Sequence, residues 1–238
     1  MQENNIPVVP IVLALFAIVG LVLLIGMTAF IGFLISRAVK RRSYDTERGR
    51  QMQDTARSNG FAFQAEAKLE ALPFFSGFEL FEGSPVGIEN LITGRSGREE
   101  IAVFDLVYRN VGGSYGGGTT TSRQTMAAVV SVDLELPQFQ LRPEGSIERV
   151  LNAVSRVDID FAERHDFSRK FLLYGNDETA IRQLFDAAKL DFFEQNPVLC
   201  VVGSRNTIIL YSPRSVAHPG QIGQYVSFAT HLCELFGR

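Results

Sequence analysis

The sequence predicts an α+β protein: an N-terminal transmembrane helix, then a cytosolic domain in which an antiparallel sheet is covered by helices on one face. Three observations carry this. Residues 11–35 read IVLALFAIVGLVLLIGMTAFIGFLI, 25 positions without a charge. Strand-like runs fill 89–94, 101–108 and 125–134. Helical stripes and short strands then alternate to the end of the chain.

The apolar run is long enough to cross a hydrocarbon core of about 30 Å at about 1.5 Å per helical residue. Arg37, Lys40, Arg41 and Arg42 follow it, and no Lys or Arg precedes it. Cations stay on the cytoplasmic side, so the N-terminus faces out and the remainder faces the cytosol. A cleaved signal peptide needs a basic n-region and a shorter apolar stretch, and neither is present. Gly20, Gly26 and Gly32 point in three directions and form no GxxxG, so the span reads as a monomeric tether. The expected organisation is a short extracytoplasmic terminus (1–10), the transmembrane helix (11–36), a basic juxtamembrane segment with a polar stalk (37–60) and a cytosolic domain (61–238). The domain's length also allows subdomains 61–145 and 146–238.

Without Glu3 and the four juxtamembrane cations, the balance is 19 basic against 25 acidic residues. Such a domain, with no basic stripe, is a poor nucleic-acid binder. The Arg37–Arg42 membrane-interface cluster is explained by topology and snorkelling. The thiols Cys200 and Cys233 show no CxxC or His pairing, which implies buried, inert cysteines in a reducing compartment.

Residues 43–60 are polar almost all round and read as stalk or linker rather than core, with Gly60 as a stop. Six phenylalanines between Phe61 and Phe81 read as a first core layer. A lipid- or partner-facing patch at Phe74 and Phe75 is the functional alternative. NVGGSYGGGTTTSR joins two strands as a long hairpin loop, Gly112 to Gly118 being its core. It lacks the Lys and the following helix of a P-loop. Apolar stripes then predict helices at Ile147–Val154, from Asp177 or Asn176 to Asn196, and from Pro219 to Gly237. Strands at 171–174, 198–202 and 207–211 lie between them, the last two joined by a GSRN turn.

No HExxH, zinc spacing or GxSxG elbow occurs. His165, His218 and His231 read as surface or loop residues. Asp158 and Asp160 are more suggestive. In an extended segment they share a face and would hold a divalent cation, with Glu163 or Asp166 adding oxygen. Capping and turn roles are the structural alternative. Asp105 falls on the apolar face of its strand and needs a partner there, for which Arg123 and Arg142 are the candidates.

The blocks Phe104-Asp105-Leu106-Val107-Tyr108, Arg123-Gln124-Thr125, LPQFQLRPE (Leu136 to Glu144), Asp158-Ile159-Asp160-Phe161 and Phe167-Ser168-Arg169-Lys170-Phe171 occur in that order. Over about residues 50–236 the chain resembles a family of bacterial single-pass membrane-anchored proteins, the LPxFxLRPE stretch being its most specific part. The resemblance implies a bacterial inner-membrane location and supplies no activity or catalytic residue. No cofactor is implied. The reading is a membrane-tethered interaction module, held to the bilayer by its N-terminal helix, that binds a protein partner or a membrane component. A membrane-anchored, metal-dependent hydrolase using Asp158 and Asp160 is the alternative.

Overall fold

The computed structural model describes residues 26–27, 30–32, 45–78, 85–110, 120–145, 158–213 and 215–237. The chain divides into two compact units, Met1–Arg48 and Gly49–Arg238. In the first, residues 26–27 and 30–32 are helical, with Met27, Phe30 and Ile31 exposed. Most of the apolar run, all of Arg37, Lys40, Arg41 and Arg42, the loop around Gly112–Gly118 and the stripe Ile147–Val154 lie outside the described residues. Among the described residues, no helix is long and apolar enough to cross a membrane.

The second unit is built on one antiparallel sheet. Its strands are β1 (Ala62–Ala67), β2 (Pro85–Ser96), β3 (Glu99–Asn110), β4 (Thr120–Val130), β5 (Leu136–Pro143), β6 (Phe171–Gly175), β7 (Cys200–Arg205) and β8 (Thr207–Tyr211). The eight are ordered β1-β2-β3-β4-β8-β7-β5-β6, with every neighbouring pair antiparallel. Strands from 61–145 and 146–238 interleave, β8 beside β4 and β7 beside β5, so these halves are not separate subdomains. The expected hairpins form: β3 returns as β4 up to Asn110↔Thr120, and β7 returns as β8 around Ser204↔Thr207.

Side chains alternate across a strand, so each strand feeds two cores. On the first face Val103, Val129, Phe139, Leu141, Phe171 and Leu173 pack into the main core. The helices α1 (45–58), α2 (His165–Lys170), α3 (Glu178–Leu184), α4 (Ala187–Gln195) and α5 (Ile222–Phe236) contribute to that core. On the second face Phe104, Leu106, Met126 and Tyr211 meet Leu72, Phe75 and Phe78 from the 3-10 turns at 69–77 and the residue after them. Fully burying one such side chain contributes about 1.5–3 kcal/mol, so these two layers dominate the fold's stability.

Phenylalanines weld the helices to the first face. Phe139 of β5 lies 5.1 Å from Phe185 and 5.6 Å from Phe236, and Phe185 lies 6.0 Å from Phe193. Each such pair adds roughly 0.5–1.5 kcal/mol beyond its buried area. Phe139 also explains Gly203 on the neighbouring strand. A Cβ there would sit 2.2 Å from Phe139 Cε1.

The structure corrects three further expectations. Residues 45–58 are helical and, from Gly49 on, part of the core rather than a polar stalk. Met52 and Ala56, one turn apart, are fully buried. A two-residue stripe is too narrow to register as amphipathic. The helix expected from Asp177 to Asn196 is two helices. Asp177 caps α3 by accepting from the Ala180 N–H, and Asp186 starts α4 by accepting from the Lys189 N–H at 3.1 Å. Phe75 is buried, its ring 5.3 Å from that of Phe104, so it is no surface patch. Phe74 beside it is half-buried and stacks on it. The LPQFQLRP stretch is strand β5, one in from the sheet edge, and its alternate residues Phe139 and Leu141 enter the core.

Candidate interaction site

α5 crosses the middle of the sheet, over β3, β4 and β8. Its start is fixed by local chemistry. His218 Nδ1 accepts from the Gly220 N–H at 3.2 Å, and Gln221 Oε1 accepts from the His218 N–H at 2.9 Å. This reciprocal cap closes a 3-10 turn at Pro219–Gln221, and the chain continues as helix. Ile222, Ala229, Leu232, Cys233 and Phe236 face the core, while Gly223, Gln224, Ser227 and His231 face out.

The outer side of α5 is hollowed on both flanks. Towards α1 lies a cavity of about 310 Å³, walled by Thr55, Ala56 and Asn59 and floored by Phe61 and Ile92. Towards α4 lies a more open one of about 710 Å³, walled by Phe192, Phe228 and His231. Both are lined by Gly223 and Ser227, which lie one turn apart on the exposed side of α5. Among the described residues, no Asp, Glu, Lys or Arg lines either one. The wall on the α4 side is aromatic: Phe192 lies 6.4 Å from Phe228 and 5.2 Å from the His231 ring. Gly223 has no internal reason to be glycine, since a Cβ there would meet nothing within 4 Å. Glycine within a helix costs roughly 0.5–1 kcal/mol relative to alanine.

Beneath the segment leading to α5 lies a buried polar relay. Asp105 accepts from Asn90 Nδ2 at 2.9 Å and from Thr125 Oγ1 at 2.6 Å. Thr125 Oγ1 in turn accepts from the Ala217 N–H at 2.9 Å. Asn90 takes a left-handed backbone, φ 53°, at the bulge where β2 slips against β3. Asn tolerates that conformation, and the bulge aims its amide at the carboxylate. Arg123 forms a two-point pair with Glu89, at 2.6 and 3.2 Å, and Arg142 lies over the Tyr174 ring at 5.5 Å.

The acidic pair sits elsewhere, along the β6 edge. Asp158 accepts from the Leu173 N–H at 2.8 Å, and the Ile159 N–H donates to the Leu173 carbonyl at 2.8 Å. Burial pushes the Asp158 carboxyl above its ordinary range, and the charges of Asp160 and Glu144 push the same way. Asp160 is exposed, and its carbonyl accepts from Arg182. Of the proposed extra ligands, Asp166 pairs with Arg169 at 2.7 Å and Glu163 is exposed. Among the described residues, no group of three or more His, Cys, Asp or Glu side chains is arranged to hold a metal ion.

His165, His218 and His231 are all exposed. Cys200 and Cys233 are free and buried, and burial raises the Cys233 thiol's pKa. Gly223, Gln224, Ser227 and Phe228 were not singled out by sequence reasoning. The signal was there: a glycine and a serine one turn apart, on an otherwise apolar helix, beside an aromatic residue.

The second unit is therefore an α+β domain with one antiparallel sheet, helices on its first face and an uncharged groove over the last of them. It is similar in fold to the crystal structure of the mycobacterial trehalose monomycolate transport factor A, TtfA. The two share 16% identity with a TM-score of 0.56, over 79% of this chain and 93% of that one. At that identity the likeness establishes the fold alone. No protein-family model matches the chain, and no curated protein matches it.

Proposed function

We propose that this chain is a membrane-tethered interaction module. Its second unit works in the cytosol and docks a protein partner or a membrane component in the groove over α5. The observation that carries this reading is the groove itself: part aromatic, lined by no charged side chain among the described residues, and running past the exposed Gly223 and Ser227. The 11–36 span with its Arg37–Arg42 cluster supports the tether and its orientation, N-terminus out. The fold likeness to a factor named for transport of a mycolate lipid is in keeping with work at a membrane.

Size analysis of the intact chain, released from its own membranes in a mild detergent, tests this. The unaltered chain should migrate in a complex larger than itself. Ser227→Leu, which fills the groove from an exposed position, should migrate free while melting like the unaltered chain. A complex that survives the substitution places the docking surface elsewhere.

The second reading, a metal-dependent hydrolase, has one observation in its favour: Asp160 and Glu144 act electrostatically on Asp158, so three carboxylates share a neighbourhood. Metal titration, described below, decides it.

A further inference from the structure

We propose that residues 158–160 form an edge guard: a strap whose hydrogen bonds occupy the outer side of β6 and keep the sheet from adding a strand of a second copy of this chain. This guard does not depend on what docks over α5. β6 ends the strand order and pairs with β5 on its inner side. Among the described residues, no strand flanks its outer side. A sheet edge with unbonded N–H and carbonyl groups is a template for another chain, and a covering loop is one way to blunt it.

The Leu173 N–H donates to Asp158 Oδ1 at 2.8 Å, and the Leu173 carbonyl accepts from the Ile159 N–H at 2.8 Å. Alternate residues of an antiparallel strand turn both backbone groups to the same side. Because both Leu173 groups turn outward, the outer set on β6 is Phe171, Leu173 and Gly175. The Phe171 N–H donates to the Phe167 carbonyl of α2. The middle of the edge is thus closed by one carboxylate and one N–H. Asp158 is the telling residue: its side chain stands where an added strand would place a backbone carbonyl. Residues 158–160 are not themselves a strand, so they satisfy Leu173 without offering a new ladder.

The strap is pinned from the far side as well. Ile159 is buried in the main core. The Asp160 carbonyl accepts from Arg182 Nη1 at 2.6 Å. The Phe161 N–H donates to Ser168 Oγ at 2.9 Å, and the Phe161 ring meets Phe167 edge-on at 5.6 Å. Removing either the Asp158 or the Arg182 bond therefore loosens the strap while Ile159 still anchors it.

The test is sedimentation velocity and amide hydrogen exchange on the purified intact chain in mild detergent. Asp158→Ala removes the acceptor for Leu173. Arg182→Ala, at an exposed position, releases the Asp160 carbonyl. Asp158→Asn keeps an acceptor oxygen. At low concentration the Leu173 amide should exchange at least tenfold faster in both alanine variants than in the unaltered chain. Both should dimerise at concentrations at least tenfold below those at which the unaltered chain does so, and the Leu173 amide should regain protection in the dimer. Asp158→Asn should match the unaltered chain in both readouts. An unchanged Leu173 amide in the alanine variants overturns the guard, because the strap is then held by something else. A faster amide without association overturns it too, because the bare edge then attracts nothing. So does a dimer in which the Leu173 amide stays fast, because that association forms elsewhere.

Discussion

Thr125 hands one hydrogen bond to Asp105 and takes another from the backbone of Ala217. Its Oγ1 lies 2.6 Å from Asp105 Oδ1 and 2.9 Å from the Ala217 nitrogen. One hydroxyl thus joins β3 and β4 to the segment that aims α5 across the sheet. The Thr125 N–H donates to the Ser215 carbonyl at 2.9 Å, which ties the same segment a second time. The groove floor is positioned through this contact.

Thr125→Val removes the hydroxyl and keeps the shape. It leaves a buried carboxylate oxygen and a buried N–H short of a partner, at about 1–3 kcal/mol for each such group. Chemical denaturation should show a loss of about 2 kcal/mol or more, while Thr125→Ser should lose only about a methyl's worth, roughly 0.8 kcal/mol. A valine variant as stable as the serine one contradicts the relay.

Asp186 is tied twice to Lys189, by its cap on the N–H and by an ion pair at 2.6 Å with the buried ammonium. The Lys189 side-chain bond, above all, holds the Asp186 carboxyl below its ordinary pKa. A depressed carboxylate contributes stability above its unfolded pKa, about 3.9, and loses it as pH falls through the lower folded value. Asp186→Ala should therefore cost about 0.5–2 kcal/mol at neutral pH. The gap between the two proteins should close on acidification below about pH 4. A gap independent of pH means that the ion pair is not the source.

Asp158 runs the opposite way. Its folded pKa is raised, chiefly by burial, so its ionised form destabilises the fold above that value and costs nothing once protonated. Asp158→Asn keeps an oxygen for the Leu173 N–H and removes the charge. It should stabilise the protein at pH 7, the gain vanishing below about pH 4. Added Mg²⁺, Mn²⁺ or Ca²⁺ should leave the melting temperature unchanged. The hydrolase reading requires the reverse: metal binding should stabilise by about 2.7 kcal/mol at a hundredfold excess over Kd, and Asp160→Asn should abolish it.

The fold was largely legible because period and turn chemistry act locally. β-Branched and aromatic residues marked β3, the GSRN turn marked the β7–β8 hairpin, and Asn176 or Asp177 marked the start of α3. What escaped depended on partners distant in sequence. Met52 and Ala56 look like incidental apolar residues in a polar segment until the sheet covers them. LPQFQLRP declares no element by itself, because Phe139 packs against Gly203, 64 positions away in the sequence. Gly203→Ala should accordingly cost about 1–3 kcal/mol by overpacking, read in the same denaturation assay. The groove was invisible for the same reason. Its walls come from α1 and α4, and a sequence does not announce that they flank α5.

The most direct test of the docking account is maleimide labelling of Ser227→Cys. The native Cys200 and Cys233 are buried, so background labelling should be low. In inverted vesicles from the cells that make it, the intact chain should label at Ser227→Cys at least tenfold more slowly than the same chain purified into nanodiscs, because a partner covers the groove. Asp160→Cys, on the far edge, should label equally in both, and sealed right-side-out cells should label neither. Equal rates at Ser227→Cys in vesicles and nanodiscs would mean an empty groove and contradict the account.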